Sequence, residues 1–337
     1  TVVPDMTHDE TSMRAALFDR YGPPEVLYEG RAPIPAIGDD ELLVRVRAVS
    51  VNGGELIVRS GGLPSWLMRG PFPRRTGLDF VGEVAAAGPA TSGHAVGDQV
   101  WGLLSEKPDA SGQALRSLAD YVAVRPDQIA AAPRSLSPVE AVTLPVGGLT
   151  ALLALRREAG LRPGESVLVR GAAGGVGSAV VQVAKALGAG PVTGLAGAGA
   201  LDFVSGLGAD LAVDYRRTGP DDLGTFDVVI DTVGTDLRDF RRLLAPGGRM
   251  VAVRFDTDRT VRSLGTIAAS AIHGARRIRF FRGAPDPALL AELARMVDGG
   301  ALRPVLHATY PLADAAGAHR RLEEGGVLGK VVVDVDG

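Results

Sequence analysis

The sequence predicts an α/β protein of two domains, a mainly β domain followed by a doubly wound parallel sheet. Three observations predict it. The first 130 or so residues carry short, alternating apolar–polar runs separated by glycine and proline. After Pro133, apolar strand-like runs alternate with helix-like stretches, the pattern of a parallel sheet with crossover helices. The chain has 337 residues, enough for about two domains on the usual size prior.

Residues 1–12 are polar and aperiodic and read as a loose leader. Order is expected from Met13, with a strand over Arg14–Asp19. Glu41–Val51 alternates as a half-buried antiparallel strand, and Phe80–Ala87, Gln99–Leu103 and Asp120–Val124 continue the β pattern. Gly77, Gly82, Gly88, Pro89, Gly93 and Gly97 punctuate them.

The change of pattern starts with a helix signal. Ser137 stands as N-cap, Pro138 at the first helical position and Glu140 three residues after the serine. Strands are then expected at Ser166–Arg170, Pro191–Leu195, Leu211–Asp214, Phe226–Asp231 and Gly248–Arg254. Helices such as Ser178–Leu187 and Ala198–Leu207 lie between them. Beyond residue 283 an amphipathic helix over Asp286–Val297, a helix over 313–324 and a strand at Lys330–Val335 read as a tail that returns to the first domain. The predicted domains are therefore 1–134 with 283–337, and 135–282.

Composition narrows the function. There are no cysteines, which excludes disulfides and thiolate zinc sites and fits a cytoplasmic protein. The five histidines, at 8, 94, 273, 307 and 319, lack ligand spacing, so no metal site is expected. The formal charge of −3 gives no nucleic-acid or membrane-surface footprint. No apolar run is read as approaching the roughly 18–20 residues of a membrane span, and no signal peptide is read at the start.

The strongest motif is Ser166-Val-Leu-Val-Arg-Gly-Ala-Ala-Gly-Gly-Val-Gly-Ser178. An apolar strand runs into a glycine-rich turn, and a helix with apolar spacing follows. Gly171, Gly174 and Gly177, with Ala173, Gly175 and Val176 between them, are the candidate cofactor-binding residues. Small side chains let the backbone approach a pyrophosphate, and the helix N-terminus offers free amides to its charge. The alternative is a tight βα turn without a ligand.

An NAD-preferring site carries an acid at the end of the second strand. Here Gly194-Leu-Ala196 runs into Gly197-Ala-Gly-Ala200, with neither acid nor base. Tyr215 and the arginines Arg216 and Arg217, after the third strand, can supply an aromatic platform and positive charge. NADPH is therefore expected, with NADH possible.

In their order and spacing, the motifs resemble the zinc-independent quinone oxidoreductase branch of the medium-chain dehydrogenase/reductase superfamily. The matches run from about residue 13 to 335. They include Tyr21-Gly-Pro-Pro-Glu-Val-Leu27, Val51-Asn52, Gly77-Leu-Asp-Phe-Val-Gly-Glu-Val84, Val96-Gly-Asp-Gln-Val100, Leu149-Thr150-Ala151, Asp231-Thr-Val-Gly234 and Gly329-Lys-Val-Val332.

The resemblance implies a GroES-like substrate domain and a Rossmann domain, the cofactor in the cleft between them, and a homodimer. It implies that Asn52 lies near nicotinamide or substrate and Thr150 near the nicotinamide. Val233, the Arg254-Phe255 turn and the segment around Phe280 and Phe281 would line the cofactor, with Lys330 near the cleft. Zinc-dependent relatives carry a histidine where this chain has Leu78.

Without a Lewis acid a conjugated acceptor is the easier substrate, because added charge spreads onto a carbonyl oxygen that hydrogen-bond donors stabilise. Reduction of a quinone or enone follows as the expected function, with Asn52 the candidate catalytic side chain. Arg59, Trp66 and Arg69 fall in a stretch read as a loop that could wall the substrate cleft, but each is read first as a surface or packing residue. Three alternatives stay open. One is an enoyl reductase for polyketide-like or acyl-thioester chains, another a cofactor-bound module without turnover, the third a metal-dependent alcohol dehydrogenase.

Overall fold

The computed structural model describes residues 11–62, 71–104, 115–254, 265, 267–270, 278–281 and 283–337. It divides into two compact units. One comprises Thr1–Pro145, Ala284–Asp298 and Leu306–Gly337, the other Val146–Gly283 and Gly299–Val305. The segment 135–145, with its helix start, thus packs with the first unit. Ser137 Oγ accepts from the Glu140 amide, and the Glu140 carboxylate accepts from the Ser137 amide at 3.0 Å, the reciprocal cap the residue types predict.

The first unit is built on strands β1 (Ser12–Phe18), β2 (Tyr28–Pro33), β3 (Leu42–Ser50), β4 (Arg74–Arg75), β5 (Asp79–Ala87), β6 (Gln99–Leu103), β7 (Tyr121–Val124) and β8 (Ile129–Ala131). Two strands from the end of the chain join them, β15 (Leu306–Pro311) and β16 (Lys330–Asp334). β2-β1-β4 form a small sheet. β15-β16-β3-β5-β6-β8 form the larger one, with β7 paired to β3. Residues of β3 alternate between core and surface along its first half, as a one-sided antiparallel strand requires.

The core gathers Val44, Val46, Phe80, Val84, Val100, Ile129 and Val333, all essentially inaccessible. Each such large side chain contributes about 1.5–3 kcal/mol relative to exposure. The helix Pro287–Asp298 packs on β8, and Asp298 accepts from the Ser135 amide and hydroxyl at 3.1 and 2.7 Å.

In the second unit β9 (Val167–Arg170), β10 (Val192–Ala196), β11 (Leu211–Asp214), β12 (Phe226–Asp231), β13 (Leu244–Ala252) and β14 (Ile278–Phe280) form one six-stranded sheet. Every pairing is parallel, and the order is β11-β10-β9-β12-β13-β14. In chain order that reads 3-2-1-4-5-6, the doubly wound Rossmann arrangement, with its reversal between β9 and β12. β9 and β10 are buried along their whole length, which explains why they are apolar apart from Thr193 and the terminal Arg170.

Four elements depart from the sequence reading. Gly53–Ser60 is a helix where a loop was expected, because paired glycines at its start and charged residues inside it masked the period. β2 and β15 are half-exposed and too polar to show β alternation. The helical run Pro138–Glu158 is long and apolar enough to cross a bilayer, contrary to the expectation that no run approaches this, and 72% of its most apolar stretch is buried inside the protein.

Candidate functional site

The second unit carries the glycine turn at the carboxyl end of β9. Gly171 has φ +71°, and a Cβ there would lie 2.5 Å from Thr232 Oγ1. A Cβ on Gly177 would stand 2.0 Å from the Gly171 carbonyl oxygen. Gly177 is thus what lets the helix Gly175–Ala186 sit directly on the strand exit. Gly174 differs: its φ is −78° and a Cβ would meet only the Gly171 oxygen, at an ordinary 3.6 Å.

No side chain caps this helix, and its first internal bond runs from the Ser178 amide to the Gly174 oxygen at 2.9 Å. The amides of Gly175, Val176 and Gly177 have no acceptor within the helix, the arrangement that receives a phosphate. Ala173–Val176 are only half-buried. The cradle fits a dinucleotide pyrophosphate. The helix Pro145–Leu152, which bears half-buried Thr150, crosses against this turn so closely that a Cβ on Gly147 would lie 2.5 Å from the Gly175 oxygen.

The other residues expected in this unit also collect at the carboxyl ends of the strands. The Tyr215 amide donates to the Ala196 oxygen at 3.1 Å, and its ring, 53% exposed, lies beside Gly197. The Arg216 guanidinium is 5.5 Å from that ring's centroid. Tyr215 and Arg216 therefore stand next to the bare end of β10. After β12, Asp231 Oδ1 accepts from the Val233 and Gly234 amides at 2.9 and 2.6 Å, and Val233 is left exposed. Phe281 follows β14 and is half-buried, while Phe255 lies outside the described residues.

A cavity of about 560 Å³ lies at the opposite, amino-terminal edge of the sheet. Arg249 in its wall is committed to Glu165 at 2.5 Å and to the Gly160 oxygen at 2.7 Å, a brace for the preceding helix. We assign the chemistry to the carboxyl edge, where the strand order reverses.

In the first unit Asn52 and Lys330 are neighbours in a buried polar network. Lys330 Nζ donates to Asn52 Oδ1. Asn52 Nδ2 donates to the Ser50 oxygen at 3.0 Å and to Glu55 Oε1 at 2.9 Å, so both of its hydrogens are engaged. Glu55 Oε2 accepts from Thr76 Oγ1 and the Gly77 amide, each at 3.0 Å. Asp79 accepts from the Ser50 amide at 3.0 Å and its hydroxyl at 2.6 Å.

Burial governs the protonation of this network. It pushes the Glu55 carboxyl up to about 7 against the pull of its hydrogen bond from Asn52. It raises Asp79 against the attraction of Lys330, and lowers Lys330 against the attraction of both acids.

One expectation is corrected. Arg59 is in the helix Gly53–Ser60, 1% exposed and paired with Glu323, so it does not wall an open cleft from a loop. Trp66 and Arg69 lie outside the described residues. His319 is fully buried, and burial together with the Arg59 charge drives its pKa to about 3, which keeps the ring neutral. Among the described residues no three histidine, aspartate or glutamate side chains group as metal ligands.

Sequence reasoning missed Glu55, Thr76 and Arg170. A charged residue ending the apolar strand Val167–Arg170 was the available signal for the last. A cation there requires a buried partner.

Comparison with known proteins agrees with this architecture. Residues 38–134 match the family described as "Alcohol dehydrogenase GroES-like domain", and residues 207–333 match "Zinc-binding dehydrogenase". The chain is 32% identical to the 2-methylene-furan-3-one reductase of Solanum lycopersicum, over 96% of this chain and 79% of that protein. It is 32% identical to the chloroplastic NADPH-dependent alkenal/one oxidoreductase of Arabidopsis thaliana, over 95% and 79%. The solved quinone oxidoreductase of Coxiella burnetii superimposes with a TM-score of 0.85 at 30% identity, over 96% of this chain and 99% of that one. A GroES-like unit and a Rossmann unit in this order, with relatives of this identity along nearly the whole chain, place the protein in the quinone oxidoreductase-like branch of the medium-chain dehydrogenase/reductase superfamily.

Proposed function

We propose that the protein is an NADPH-dependent reductase of small conjugated enones or quinones that works without a metal. The observation that carries the reading is the glycine turn, where Gly177 seats a helix against the strand exit and leaves the amides of Gly175–Gly177 for a diphosphate. When bound, a reduced nicotinamide supplies the hydride, and a conjugated acceptor spreads the added charge onto its carbonyl oxygen.

The chain's own residues do the rest. Gly171–Gly177 bind the diphosphate, and Thr150 and Val233 flank that turn. Tyr215 and Arg216 stand where the adenosine ribose is read, so a 2′-phosphate meets a cation there, and the end of β10 itself carries no acid, although Asp214 accepts from the Arg216 amide at 3.1 Å. Asn52 is the polar side chain we assign to the border of the reacting region of the substrate unit; with both amide hydrogens held by Ser50 and Glu55 and its oxygen by Lys330, it has no free donor for a carbonyl oxygen, against the role expected from sequence. The donor set argues for metal-free chemistry, since Leu78 replaces a ligand of zinc-dependent relatives and cysteine is absent. The relatives' names support enones and quinones as acceptors.

The test is loss of reduced-nicotinamide absorbance with a panel of small quinones, enones and enoyl thioesters, run with NADPH and NADH. Turnover of quinones or enones with NADPH preferred is the expected result. Turnover confined to enoyl thioesters would move the assignment to an enoyl reductase. Tight NADPH binding with no turnover of any acceptor would make the protein a binding module.

A further inference from the structure

Arg170 ends β9, a strand whose other residues are apolar, and is only 6% exposed. A buried guanidinium needs full pairing. Strand register places Asp231, the last residue of β12 and fully buried, directly beside it. Arg170 Nη1 donates to Asp231 Oδ2 and to the Thr235 carbonyl oxygen at 2.6 Å. The guanidinium lies 3.6 Å from the centroid of the Phe240 ring, a stacked cation–π contact that fixes its plane.

One side chain therefore grips both ends of the turn 231–235. The other oxygen of Asp231 holds the Val233 and Gly234 amides inside that turn. On the backbone side Thr232 Oγ1 donates to the Arg170 carbonyl at 2.7 Å and fills the space where a Cβ on Gly171 would stand. The two turns so joined flank the point where the strand order reverses.

We propose that Arg170 is a positioning residue: through Asp231 and Thr235 it sets the separation between the glycine turn and Val233, and with it the affinity for a nicotinamide dinucleotide that Arg170 does not touch. This rests on the cofactor reading above. A ligand held between two turns is sensitive to their spacing, whereas the two nicotinamides differ only at the ribose. Loss of the strut therefore weakens both alike.

The double variant R170M/D231N removes both charges together, leaves no unpaired buried ion and keeps an oxygen for the Val233 and Gly234 amides. Binding is followed by calorimetry and folding by thermal denaturation. The expected result is a Tm close to that of the native protein, with Kd for NADPH and NADH each raised about tenfold and their ratio unchanged. R170K, which keeps the charge but not the fork, should fall between the two, and KM for the cofactor should rise more than kcat falls. If the native protein binds and both variants bind equally well, the strut is refuted and the cofactor reading stands. If the native protein binds neither nucleotide, both readings fall together.

Discussion

Each unit buries an ionic centre, and the two are built on different principles. In the Rossmann unit one arginine meets one aspartate, the charges cancel, and an aromatic ring lies against the guanidinium. In the GroES-like unit one lysine faces two carboxyls, and a neutral amide, Asn52, stands between the cation and Glu55. The balanced pair can act as a fixed brace. The unbalanced cluster carries one carboxyl too many, so burial brings Glu55 to the edge of protonation near neutral pH. Rigidity thus accompanies the nucleotide turn, and adjustable charge accompanies the residue assigned to the substrate.

The largest effect should come from breaking the balanced pair on one side only. Asp231→Ala strands Arg170 and opens the 231–235 turn, at a cost of about 3–5 kcal/mol. Urea denaturation checks this, and an unchanged midpoint would deny the pair its structural role. Lys330→Met leaves two buried acids without a cation, for a loss of about 3 kcal/mol at neutral pH. The loss should shrink as pH falls, because Asp79 and Glu55 then take up protons. A loss independent of pH would mean that the lysine does not compensate them.

A smaller, sign-specific effect belongs to Glu55. Its folded pKa of about 7 is above the ordinary value of 4.5, so the folded state holds a proton the unfolded state has released. Its contribution is full below pH 4.5 and is lost as pH rises through 7, a decline on the order of 3 kcal/mol. Glu55→Gln should flatten that part of the stability–pH curve, and an identical slope in the variant would show that another group sets it. The smallest effect is expected at the exposed rim: Arg216→Ala with Arg217→Ala should weaken NADPH by roughly tenfold, about 1.4 kcal/mol, and leave NADH unchanged. Equal losses for both nucleotides would remove the 2′-phosphate assignment.

Local signals made much of this legible from sequence. The exit from β9 carries its own instructions, since an apolar run, a positive-φ glycine and a helix-packing glycine lie within a dozen residues. Phe226–Asp231 and Gln99–Leu103 are strands over the same bounds that the sequence predicts. The ionic centres were opaque for the opposite reason. Arg170 and Asp231 are 61 positions apart and Asn52 and Lys330 278 apart. A lone charged residue in a sequence reads as surface until folding supplies its partner. Glu55 and Arg59 were hidden twice over, because two glycines obscured the helix that buries them.

Gly174 offers the most direct test of the nucleotide turn. Its backbone angles suit any residue, a Cβ there has room, and it occupies the N-cap position, where aspartate favours a helix. Gly174→Asp therefore leaves folding intact while placing a negative charge against the amides assigned to the diphosphate. Titrating NADPH into both proteins should give saturable binding to the native chain and, at an equal or higher Tm, none to the variant. Undiminished binding to Gly174→Asp would contradict the account.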